Sequence, residues 1–127
     1  MDGLHLLADL RSCACEEERM TNADRLLAAC DRLVRANGLT PVAQVAHSFP
    51  GTEAGPGGVT ATILLAESHL SVHTWPESGS VSLDVYVCNF SSDNSKRAQA
   101  LLDALLDWFE PDTVSRQRIT RGRLPVR

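Results

Sequence analysis

Hydrophobic and polar positions change their rhythm several times along the chain. Gly3 to Leu10 (GLHLLADL) is apolar and partly alternating, which predicts a first strand. Ser12 to Met20 is polar and acidic and reads as a connection. From Asn22 the period lengthens. Leu26, Leu27, Cys30, Leu33 and Val34 recur at three- and four-residue spacing, which predicts a helix capped by Asn22 and running to about Ala36. Asn37-Gly38 supplies its stop. A strand is expected from Thr40 to Phe49, then a flexible loop from Pro50 to Gly58 that holds four glycines and two prolines. Val59 to Ala66, His69 to Thr74 and Val81 to Cys88 read as three more strands, the last two joined by the turn Pro76-Glu77-Ser78-Gly79.

A second helix is expected to start near Ser92 or Asn94 and end near Phe109. Its buried stripe would be Ala98, Leu101, Leu102, Leu105, Leu106 and Phe109. Pro111 closes it, and Thr113 to Thr120 makes a last strand. The predicted order is β-α-β-β-β-β-α-β, an α/β (α+β) two-layer sandwich in one domain over residues 1–127, with two helices on one face of a mostly antiparallel sheet. Such a sheet leaves a face or edges in need of cover, and a homodimer or higher homo-oligomer would provide it.

Composition narrows the function classes. A chain of 127 residues with 43% hydrophobic positions can bury one core, and a net charge of −4 without long like-charge runs points to neither nucleic acid nor a membrane as partner. The N-terminus shows no basic segment followed by an apolar stretch, so a cytoplasmic protein is expected. Cys13, Cys15, Cys30 and Cys88 are irregularly spaced, with no pair of CxxC motifs for zinc, and read as reduced thiols.

The chemistry is concentrated in Leu65 to Cys88, LAESHLSVHTWPESGSVSLDVYVC. Glu67, Ser68, His69, Ser71 and His73 fall within seven residues, and a hydroxyl beside an imidazole is raw material for acyl chemistry. No GxSxG elbow accompanies them. Five residues separate Ser68 from His73, so a straight strand puts them on opposite faces and roughly 17 Å apart. Cooperation between them requires a turn near Ser68 or residues from different subunits. His69 and His73 share a face but stand about 13 Å apart, too far for one metal ion with ligands at about 2 Å.

The block ESHLSVHTWPE followed by D-x-Y-x-C resembles the processing and catalytic segment of the prokaryotic S-adenosylmethionine decarboxylases, the short pyruvoyl-dependent form. GLHLLADLRSC, the HSF of His47 to Phe49 and the GVT of Gly58 to Thr60 are similar to further family segments. The resemblance implies a proenzyme that cuts itself between Glu67 and Ser68 into residues 1–67 and 68–127, Ser68 becoming a pyruvoyl group. Ser68 Oγ would attack the Glu67 carbonyl, shifting the peptide to an ester, and Thr60 would assist from a position where the family usually has serine. His73 would then remove the Ser68 Cα proton. The pyruvoyl group, with no metal, would hold the substrate amine as a Schiff base, and Cys88 would return a proton to the substrate. Phe49 would stack on adenine and Glu77 would bind the ribose hydroxyls. The product would supply aminopropyl groups for spermidine synthesis.

The chain departs from the family pattern at Ser78 and Ser80, where aromatic residues are usual, at Asn89 in place of glycine, and in its longer 50–58 loop. These changes touch the substrate pocket, which keeps arginine or ornithine decarboxylation within the same superfamily as an alternative. A non-catalytic regulatory paralogue is a second alternative, opposed by the presence of Ser68, His73 and Cys88. Trp75 is read as packing, His5 and His47 as structural, Cys13 and Cys15 as incidental. Arg116, Arg118, Arg121, Arg123 and Arg127 are read as a solvated surface.

Overall fold

The computed structural model describes residues 2–90 and 92–122; Arg123 and Arg127 lie outside them. Strand β1 spans Gly3–Cys13, followed by a short helix α1 (Glu18–Thr21) and helix α2 (Ala23–Ala36). Strands β2 (Pro41–Ser48), β3 (Val59–Leu65), β4 (Ser68–Trp75) and β5 (Ser80–Cys88) follow, then helix α3 (Ser95–Phe109) and strand β6 (Pro111–Arg121). The six strands form one sheet in the order β2-β3-β4-β5-β1-β6. Every pairing is antiparallel.

The strand period sorts the side chains into two layers. Leu4, Leu6, Ala8 and Leu10 of β1 point to one face with Val59, Ala61, Ile63 and Leu65 of β3, Leu70 and Val72 of β4, and alternate residues of β5. Leu26, Cys30 and Val34 of α2 and the expected stripe of α3 close the core against that face. The single buried polar side chain among the described residues, Thr74, is satisfied. Its hydroxyl donates to the Met20 carbonyl at 2.6 Å and accepts from the Val59 amide at 2.8 Å.

Asn22 caps α2 as its sequence position suggests, its Oδ1 accepting from the Arg25 amide at 3.0 Å. Asn22→Ala is therefore expected to lower unfolding stability by about 1 kcal/mol, read as a lower midpoint in urea with an unchanged slope.

Two boundaries differ from expectation. The connection read over Ser12 to Met20 is shorter, because β1 continues to Cys13, which pairs with Pro111, and its amide donates to the Gly79 carbonyl. Glu18–Thr21 then forms the extra helix, whose apolar Met20 enters the core. Pro111 opens β6 rather than merely ending α3, since Glu110 adopts a left-handed conformation (φ 52°) that reverses the chain within one residue.

The face away from the helices is mixed. It carries His5, Asp9, Thr60, Thr62, His69, Ser71, His73, Asp84 and Tyr86 by strand parity, with the apolar Val45, Leu64 and Ile119 exposed among them. Arg116 leans to the helix side, 3.1 Å from Asp103 of α3, while Arg121 lies over the Tyr86 ring at 4.7 Å. Arg116, Arg118 and Arg121 are all exposed, in agreement with their reading as a solvated surface. No helix among the described residues is long and apolar enough to cross a membrane.

Candidate active site

Strands β3 and β4 are joined by the two-residue turn Ala66-Glu67, with Leu65 paired to Ser68 across it. A turn this tight needs a positive φ, and Glu67 supplies it at 67° although it is not glycine. That conformation costs an L-residue roughly 1–2 kcal/mol. The peptide bond expected to be cut therefore leaves a strained residue and enters the first position of a strand. Ser68 Oγ accepts a hydrogen bond from the Cys88 amide at 3.1 Å, which brings the serine to the end of β5 where Cys88 is buried. Glu67, Ser68 and Cys88 thus gather at one end of the sheet.

The surroundings of Cys88 explain the departure at Asn89. Its side-chain oxygen accepts from the Asn94 amide at 2.8 Å and its Nδ2 donates to Ser95 Oγ at 3.2 Å. The asparagine thereby ties the end of β5 to the start of α3, a role glycine cannot fill. The other thiols are held away from reaction. Burial pushes Cys30 up to about 12 and Cys13 up to about 11, and burial raises Cys15 as well. All three stay protonated at neutral pH, in agreement with their reading as incidental or structural.

A second group of the expected residues lies elsewhere. Phe49, Thr60, His73 and Glu77 all line one cavity of about 440 Å³. His73 Nδ1 and Thr60 Oγ1 are 3.0 Å apart, directly cross-strand from each other. The threonine hydroxyl thus stands within hydrogen-bond distance of the imidazole. The Phe49 ring, 51% exposed, meets the His47 ring edge-on with centroids 4.8 Å apart. The 50–58 loop forms the cavity's outer wall, and its last residue must be glycine: a Cβ at Gly58 would run into the Thr74 carbonyl oxygen.

Trp75, read from sequence as packing, is 44% exposed and lines this cavity beside His73, ring centroids 6.2 Å apart. Its strand parity, shared with His73, is the signal that could have placed it there. The cavity presents two open aromatic rings, one carboxylate and one imidazole, a set suited to a flat heterocycle carrying hydroxyls and positive charge.

The structure does not bring the two groups together within one chain. Ser68 has the parity of the buried Leu70, Val72 and Thr74, whereas His73 lies on the opposite face five residues further along β4. Ser68 and Cys88 do not line the Phe49–Glu77 cavity. The straight-strand expectation holds.

A third cluster was not foreseen. His5, His69 and Asp84, from three strands, meet on the face away from the helices, with Asp84 Oδ2 2.8 Å from His5 Nε2 and 2.9 Å from His69 Nε2. The sequence reading treats His5 as structural and weighs His69 only against His73. Neither reading could see that β5 brings Asp84 between β1 and β4.

Comparison with known proteins places the chain and its fold in a family. Residues 4–122 match the family model described as S-adenosylmethionine decarboxylase. The chain is 33% identical over 120 residues to the S-adenosylmethionine decarboxylase proenzyme of Thermoplasma acidophilum, covering 94% of this chain and 83% of that protein. It is 34% identical over 120 residues to the proenzyme of the same name from Archaeoglobus fulgidus, covering 94% and 97%. The crystal structure of the adenosylmethionine decarboxylase from Aquifex aeolicus superposes with a TM-score of 0.82 at 28% identity, over 97% of this chain and 92% of that one.

Proposed function

Because the chain belongs to the S-adenosylmethionine decarboxylase family, we propose that it decarboxylates S-adenosylmethionine with a pyruvoyl group made by cutting its own backbone between Glu67 and Ser68. The observation that carries this reading is Ser68 itself. It follows a left-handed Glu67 in a two-residue turn, and its hydroxyl sits at the Cys88 amide. Cysteines that stay unpaired support work in the cytoplasm. There the product would feed aminopropyl groups into spermidine synthesis.

Self-cleavage uses the residues of the β3–β4 turn and the start of β4. Ser68 Oγ adds to the Glu67 carbonyl carbon, and the C–N bond is exchanged for an ester. The carbonyl under attack belongs to a residue held in a left-handed conformation, which fixes its orientation in the turn. A base takes the Ser68 Cα proton, and the Cα–Cβ double bond forms as the Glu67 carboxylate leaves from Cβ. Hydrolysis of the resulting enamine releases ammonia and leaves residue 68 as a pyruvoyl. The position fits that group, because residue 68 already opens a strand beside a backbone N–H donor and Cys88. Once formed, the group supplies an electron-withdrawing carbonyl for loss of the substrate's carboxylate. Cys88 provides the proton that replaces it.

His73 is the base in this reading, and it comes from a second copy of the chain. Within one chain it stands five residues along β4 and on the other face. A two-fold contact makes residue i of one copy meet j of the other and j meet i. Sheets brought together by their helix-free faces, with β4 crossing its equivalent in reverse, can set each Ser68 end toward the other's Thr60–His73 cavity. The exposed Val45, Leu64 and Ile119 on that face favour such cover. Phe49 and Glu77, which share the cavity with His73, then take the adenosyl group, and Trp75 adds a second aromatic wall.

Denaturing intact-mass measurement of the purified protein tests the reading. Two chains, residues 1–67 and a pyruvoyl-blocked 68–127, are expected, with turnover of S-adenosylmethionine and none of arginine or ornithine assayed in parallel. A single uncut chain that fails to cleave on prolonged incubation overturns it.

A further inference from the structure

The His5–Asp84–His69 cluster is not used by the chemistry above, yet it lies one residue from the bond to be cut. Two imidazoles and a carboxylate within 4.8 Å also make the outline of a metal site. The proton positions oppose that use. Arg121 Nη1 lies 3.3 Å from His5 Nδ1, and a guanidinium can only donate. It therefore takes the Nδ1 lone pair and leaves the His5 proton on Nε2, aimed at Asp84. A metal-ligating histidine has the reverse arrangement, with its bare nitrogen toward the ion and its N–H given to an acceptor. The cluster is better described as one carboxylate oxygen receiving two imidazole N–H donors. Tyr86 packs against both, its ring centroid 5.6 Å from that of His5 and 5.8 Å from that of His69. Gly3 makes room for this ring, because a Cβ there would sit 2.8 Å from the tyrosine hydroxyl.

Packing shows what the cluster holds. Strand β4 is anchored in the core from Leu70 onward, through Leu70, Val72 and Thr74. The two residues before it, Ser68 and His69, are only half-buried, and the pairing of β4 with β5 begins at His69–Tyr86. Strand ends fray unless tied. Beyond the backbone ladder, this end is tied by the Ser68 Oγ contact to the Cys88 amide and by the His69 side chain on Asp84, while the Ala66 amide of the turn before it donates to the Thr40 carbonyl at 3.2 Å.

We propose that His69 is a positioning residue for self-cleavage: held by Asp84, it fixes the first residues of β4 so that Ser68 Oγ stays aligned on the Glu67 carbonyl. The inference rests on the self-cleavage reading. It requires an N–H donor at residue 69, not an imidazole that gains or loses a proton.

The test follows conversion of freshly translated full-length chain into two pieces over time. His69→Gln keeps a donor toward Asp84 and is expected to cleave within about threefold of wild type. His69→Leu removes the donor and is expected to slow cleavage about a hundredfold, the scale of a small misalignment of reacting groups. Asp84→Leu should slow it similarly, and the double variant His69→Leu/Asp84→Leu no further, because the two lose the same contact. Three results overturn the proposal: His69→Leu cleaving at the wild-type rate, His69→Gln as slow as His69→Leu, or the two slowdowns multiplying in the double variant. A wild-type chain that never cleaves overturns the self-cleavage reading as well, so the two failures are told apart in the wild-type sample.

Discussion

Ser68→Ala is expected to give one chain of 127 residues where the wild type gives two, and no decarboxylation. The methyl group cannot attack the Glu67 carbonyl, so neither ester nor elimination follows. The variant should still fold. Ser68 is a half-buried strand-end residue outside the core cluster, and its loss frees the Cys88 amide from a 3.1 Å hydrogen bond. Leaving that donor unpaired costs about 1–3 kcal/mol, within the stability of an ordinary domain. A far-ultraviolet spectrum like that of the wild type, beside one intact mass, is the expected pair of observations. Two chains in this variant would remove Ser68 from the chemistry.

The second large effect comes from mixing two inactive variants. His73→Ala alone should stay whole, because no base reaches the Ser68 Cα. In a mixed dimer with Ser68→Ala, one junction has lost both groups. The other joins the intact Ser68 of the His73→Ala chain to the intact His73 of its partner. Co-expression with distinguishable tags should therefore restore cleavage of the His73→Ala chain only, in about half or fewer of the molecules, given random pairing of symmetric subunits. Cleavage of neither chain would place Ser68 and His73 in one subunit, contrary to their opposite faces on β4. Cleavage of His73→Ala on its own would remove His73 as the base.

Elements whose identity depends on local period were readable from the chain. The α2 stripe with its Asn22 cap, the α3 stripe, and the alternation of β3 and β5 needed no distant information. The parity that separates Ser68 from His73 was equally local, and it proved the most useful single deduction. What escaped depends on strands distant in sequence. The continuation of β1 to Cys13 is set by its partner Pro111, and the meeting of His5, Asp84 and His69 by a strand order that inserts β5 between β4 and β1. Trp75 was misjudged because an indole reads as apolar by type, while its parity turns it outward into the cavity.

The strand order has one more consequence. A cut after Glu67 would assign β1, β2 and β3 to the first fragment and β4, β5 and β6 to the second. In the sheet these alternate in blocks, β2-β3, then β4-β5, then β1, then β6. Three of the five pairings, β3 with β4, β5 with β1 and β1 with β6, would join different polypeptides. The fragments would stay woven together, but the history of the molecule would become one-way. The uncut chain folds in a first-order process at any dilution. Once denatured after cutting, its halves must find each other, and recovery becomes second order, failing as the protein is diluted.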